Sequence, residues 1–110
     1  MMPSQTAFRV LCVIANPSDL PPFDSARAWA NIAGALQSHI QANRVALERA
    51  ADASEASIRA LLQQKRFELV HLVAHAQARG ANYTNVALQT AEGRSRPLTA
   101  PAVANLLVEN

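Results

Sequence analysis

Apolar and polar positions fall into blocks along this chain, and the period changes from block to block. Phe8–Ala15 (FRVLCVIA) is short, apolar and β-branched, which predicts a strand. Asn16–Pro22 (NPSDLPP) breaks it: three prolines within seven residues exclude a helix, and Asn-Pro starts a turn. Trp29, Ile32, Ala33, Leu36 and Ile40 then recur at helical spacing, opposite Arg27, Asn31, Gln37, Ser38 and Gln41. This predicts a helix over about residues 25–42, capped by Asp24 or Ser25 and ended by Ala42-Asn43-Arg44. Val45–Leu47 begins a second strand, and the charges at Glu48 and Arg49 suit a sheet edge.

A second helix follows. Asp52 or Ser54 caps it, Glu55 stands at capping-box spacing from Asp52, and Ile58, Leu61 and Leu62 form its apolar stripe. Gln63–Arg66 ends it with positive charge, which suits a helix C-terminus. Phe67–Ala76 (FELVHLVAHA) is an almost unbroken apolar run ending on a histidine. Leu69, Val70, Leu72 and Val73 predict a central strand of a parallel sheet, buried on both faces. A loop over Gln77–Asn85 with Gly80, a short strand Val86–Gln89 and a turn at Ala91–Arg96 with Gly93 come next. Thr99 caps a last helix. Pro101 sits in its first turn, Leu98 and Val103 hold the hydrophobic-staple positions, and Val103, Leu106 and Leu107 face inward.

The order β-α-β-α-β-(ββ)-α predicts an α/β fold with a mostly parallel sheet in strand order 2-1-3, right-handed crossovers and a small β-hairpin after strand 3. Ligands of such sheets sit at the C-terminal strand ends where the order reverses, which places the Asn16–Asp19 loop beside His75. A third strand buried on both sides requires a neighbour on its far edge. The C-terminal strands are therefore expected to lie beyond this chain or in a partner chain. Residues 1–7 are expected to be a flexible N-terminus, and 8–110 part of a domain.

Composition narrows the class. Half of the 110 residues are hydrophobic, which excludes a disordered chain, and the five aromatics leave a core that is mostly aliphatic and alanine. The formal charge of +2 comes from ten scattered Lys and Arg residues, whereas a nucleic-acid surface would concentrate them. The one cysteine excludes a disulfide framework within the chain or a cysteine zinc set. No signal peptide is evident, and the apolar runs fall short of the ~20 residues that span a bilayer. A soluble cytoplasmic protein without nucleic-acid or membrane partners is the expectation, and no cofactor or metal motif is present.

His75 is the leading candidate for chemistry. A histidine at a strand end on the switch side suits a general base; a polar loop-end residue with no role is the other reading. His71, four residues earlier, is expected to be a hydrogen-bonded core residue. A two-histidine metal site would lack a third ligand. His39 is expected at the surface, and Cys12 as inert packing in mid-strand. Asn16 and Asp19 are candidates to line a pocket at the switch point, with turn-making the alternative for Asn16.

Three segments together carry a family resemblance: VLCVIANPSDLPPFD with the Trp29 helix after it, HLVAHA, and VALQTAEGRSRPLTAPAVANLL. Over about residues 8–108 the chain resembles the front half of a CHAT domain, a caspase-like cysteine peptidase family of the caspase–separase group, frequent in bacteria. The resemblance implies a three-layer caspase-like sheet. The family's His-x-x-Gly-His-Gly strand maps onto His71 and His75, making His75 the general base for a cysteine nucleophile at the end of the following strand. It makes the N–H of Ala76 an oxyanion donor. It makes Asp19, with Asn16, part of a substrate pocket favouring a basic side chain before the cleaved bond. Both flanking glycines are alanine in this chain, Ala74 and Ala76, and the nucleophile would lie past Asn110. This chain alone is thus expected to be inactive. The implied partners are a protein or peptide substrate, the remainder of the CHAT domain or a chain supplying the next strand, and a possible homo-oligomer. A non-catalytic caspase-like assembly module is the alternative function, and a flavodoxin- or receiver-like ligand binder a third.

Overall fold

Strand β1 (Phe8–Ile14) is the axis of the fold, and both faces of it are covered from Val10 onward. The computed structural model describes residues 7–78 and 84–108. The loose stretch expected at 1–7, Ala7 apart, and the Gly80 loop fall outside the described residues. After β1 come helix α1 (Ser25–Gln41), strand β2 (Val45–Arg49), helix α2 (Glu55–Gln64) and strand β3 (Leu69–Val73). β2 and β3 both run parallel to β1, one on each side, giving the order β2-β1-β3. The sheet order expected from the sequence is borne out.

Side chains of β1 alternate between two faces. Leu11, Val13 and Ala15 meet Ile58 of α2, with Val70 and Leu72 of β3 packed against them. The other face carries Val10, Cys12 and Ile14, and α1 lies over β1 and β2. Each helix starts at a side-chain cap that satisfies an orphan backbone donor. Asp24 Oδ1 accepts from Arg27 N (3.0 Å) for α1, and Ser54 Oγ accepts from Ser57 N (3.2 Å) for α2. Past the end of α1, Asn43 adopts φ 60°, the left-handed conformation that asparagine tolerates. Asp52 does not take the cap of α2; it accepts from Ser54 N and Ser57 Oγ just outside it. Glu55 makes no capping box, and its carboxylate pairs with Arg96 at 2.8 Å.

The chain then builds a second, antiparallel sheet from β4 (His75–Ala78), β5 (Thr84–Gln89) and β6 (Ser95–Thr99), in that order. The expected hairpin is β5–β6. The sequence reading had a loop directly after His75, and the structure corrects it. The histidine segment exchanges partners at Ala74, leaving β1 and pairing with β5, so that His75 lies opposite Ala87. Helix α3 (Ala100–Val108) closes the fold. Thr99 Oγ1 accepts from Ala102 N as its cap, and Leu106 joins Ile58 and Leu88 in the core.

A second correction concerns β3. It is not buried on both faces: Leu69 is 49% exposed and His71 is exposed, while Val70 and Leu72 pack inward. The expected core histidine is thus a surface residue. The cause is coverage. α1 packs chiefly on β2 and β1, and the face carrying Leu69 and His71 is left partly open to solvent.

Candidate active site

The site assembles where β1 and β3 leave the parallel sheet. β1 and β3 stay paired to their ends, with Ala15 N donating to Val73 O at 2.8 Å. From there one strand enters the proline-rich loop and the other becomes β4. The loop is clasped by its own first residue. Asn16 Nδ2 donates to Phe23 O (2.8 Å), and Phe23 N donates back to Asn16 Oδ1 (3.3 Å). One side chain thereby closes the stretch from 16 to 23, whose three prolines supply no backbone donors of their own.

Three further ties hold the loop to the second sheet. Asn16 N donates to Gln89 Oε1 (3.0 Å), and Ser18 N to Gly93 O (2.9 Å). Ser95 N and Oγ both donate to the Asp19 carboxylate at 2.7 Å. Gly93 sits in the β5–β6 turn at φ 82°, where an L side chain would be strained. The Ser95 hydrogen bonds, with Arg94 adding a smaller attraction, hold the Asp19 carboxyl below the ordinary carboxylate range.

His75 opens β4, half-buried, with its ring edge-on to Phe23 at 5.6 Å between centroids and 69° between planes. Its Nε2 is enclosed and has no hydrogen-bond partner among the described residues. Ala76 is exposed and lies opposite Val86. In an antiparallel ladder successive amides point to opposite sides, so His75 and Ala76 cannot both donate to β5.

The structure therefore brings Asn16 and His75 together through Phe23. It turns Asp19 toward Ser95 of β6, leaves His71 and His39 exposed, and encloses Cys12 completely. Burial pushes the Cys12 thiol up, with Arg49 opposing. Among the described residues no three His, Cys, Asp or Glu converge as metal ligands, and no helix is long and apolar enough to cross a membrane. Open clefts beside β2 and α2 (Glu48, Leu61) and below β3 (Lys65, Phe67) do not include His75. Phe23, Gln89 and Ser95 were not singled out from the sequence. Phe23 carried a faint signal as the only aromatic in the loop. Gln89 and Ser95 carried none, because their partners lie more than 70 residues away.

The sequence matches the CHAT domain family model over residues 2–110. The chain belongs to the CHAT domain family. A CHAT domain is a caspase-like, peptidase-related domain, and the parallel α/β sheet accords with it. Neither a curated protein nor a solved structure matches this CHAT domain.

Proposed function

We propose that this CHAT domain carries the histidine half of a cysteine peptidase site, with His75 as general base. The supporting observation is that His75 follows β3 by two residues, and that β3 ends the parallel sheet with no further strand on its far edge among the described residues. A strand docking there would carry the nucleophile. His75 takes the thiol proton, and the thiolate attacks the scissile carbonyl carbon. The imidazolium returns the proton to the departing amine, leaving a thioester. Water then attacks with His75 again as base, releasing the acid and the thiol. In this reading the amide of Ala76, the residue after the base, donates to the oxyanion. Asp19 is held ionised on the loop, and two hydrogen bonds from Ser95 use about half of a carboxylate's roughly four acceptor sites. It suits a basic side chain before the cleaved bond. Cys12 is not the nucleophile, being enclosed in the middle of β1. With no other cysteine, this chain alone is inactive. A reducing, cytoplasmic setting fits its single buried thiol.

The test is to produce the chain with whatever sequence its gene encodes after Asn110, or with its partner chain, and treat it with a peptide electrophile bearing Arg or Lys. The expected result is labelling of a cysteine outside this chain, slowed about 10²- to 10⁴-fold by His75→Ala. Absence of such a cysteine, or labelling indifferent to His75, would overturn the reading.

The free β3 edge also favours a second reading, a non-catalytic assembly module or homo-oligomer. Ala74 and Ala76 in place of the family's glycines support it. Light scattering that shows a stoichiometric assembly, together with no labelling in the longer protein, would select it.

A further inference from the structure

We infer that Asn16 is a positioning residue for His75, acting through Phe23; the inference deepens the reading of His75 as general base and rests on it for its functional meaning. A working imidazole needs a fixed ring plane, and a hydrogen bond to one of its nitrogens ordinarily supplies it. Here the Nε2 of His75 is enclosed and has no such partner among the described residues. What meets the ring is the edge-on Phe23 ring, a contact with its own preferred geometry.

Phe23 lies between Pro22 and the Asp24 cap of α1, on a loop with few hydrogen bonds of its own. Asn16 grips its backbone on both sides, accepting from the N–H and donating to the carbonyl. Asn16 is in turn anchored at its own N–H by Gln89, and Gln89 N is held by Ala53 O at 3.0 Å beside the start of α2. The orientation of His75 is thus referred through one aromatic ring and two amide side chains to the start of α2. Asparagine suits the position because its side-chain amide carries a donor and an acceptor on separate atoms, matching one residue's N–H and C=O. A pocket-lining role leaves this double grip unexplained.

The test follows the histidine ring protons by NMR in the full chain carrying ¹³C-labelled histidine, with exposed His39 and His71 as internal references. The unmodified chain should show a cross-relaxation contact between the Phe23 and His75 rings. Asn16→Ala should remove that contact and shift the His75 ring signals while those of His39 and His71 stay in place. Phe23→Leu should shift His75 likewise, and Phe23→Tyr should preserve the contact. The double variant should move His75 no further than Phe23→Leu alone, the signature of action through Phe23. Asn16→Asp sets a carboxylate oxygen against the Phe23 carbonyl in place of the donor, and serves if Asn16→Ala does not fold; it should likewise shift the His75 ring signals.

A ring contact and His75 signals unchanged in Asn16→Ala and Asn16→Asp would overturn the inference. So would an undiminished Asn16 effect in the Phe23→Leu background. These readouts need no nucleophile, so the inference and the peptidase reading fail in separate experiments.

Discussion

Asp19 and Asp52 each fasten a loop by accepting hydrogen bonds from serines. Asp52 accepts from Ser54 N and Ser57 Oγ, both at 2.9 Å, and Asp19 accepts from both donors of Ser95. Hydrogen bonding to the charged form favours it, and both carboxyls are held below 3.8. Their folded pKa lies below the unfolded one. The stabilisation they give is therefore full above the ordinary carboxylate pKa and is lost as pH falls through the lowered folded values. Asp52→Asn and Asp19→Asn should each lower Tm at pH 7, and the gap to the unmodified chain should close in acid below about pH 4. Melts by circular dichroism across that range check this, and a gap constant with pH would refute it. Cys12 behaves oppositely: burial raises its thiol and denies access. Iodoacetamide followed by mass spectrometry should find it unmodified in the native protein and modified in denaturant.

At the scale of elements, caps and packing contribute unequal amounts. Losing the Ser54 hydroxyl at the start of α2 removes one hydrogen bond, and Ser54→Ala should cost about 1 kcal/mol. Ile58 on the same helix is 2% exposed at the centre of the core, and Ile58→Ala should cost about 2–5 kcal/mol, because a cavity adds to the lost transfer energy. Urea unfolding of the two variants ranks them. α1 differs from α2 in burying none of its residues fully, though its apolar stripe faces β1 and β2, and Arg49 lies 5.8 Å over the Trp29 ring. Its amides should exchange faster than those of β1, which has five buried residues in succession from Val10 to Ile14. The helices, their caps and the polar face of α1 were legible in the sequence because each depends on spacing within a few residues. The role given to Glu55 was not, because its partner Arg96 comes from β6, 41 residues away.

At the scale of the whole molecule, β3 ends the parallel sheet among the described residues and carries half-exposed Leu69. A strand with one free edge and one uncovered face presents unpaired backbone groups and apolar surface. Leu69→Lys should leave the stability of this chain within about 0.5 kcal/mol, because Leu69 is half in solvent. In the longer protein or the assembly the same change should destabilise, since the charge would then be buried without a partner. Comparing denaturation of the two forms decides whether this flank is covered. An equal, small effect in both would mean that nothing docks on it.

The hydrophobic pattern alone determined the α/β class and the strand order β2-β1-β3, because period, length and crossover handedness are local or general constraints. Tertiary structure decided the rest. Leu69 and His71 alternate in sequence with Val70 and Leu72 like any central strand, yet are exposed because α1 packs chiefly on β2 and β1. The continuation of the histidine strand into β4, and the grip of Asn16 on Phe23 beside His75, depend on which segments meet across the ends of the sheet. Spacing along the chain records which residues share a face; it does not record which neighbour arrives to cover that face.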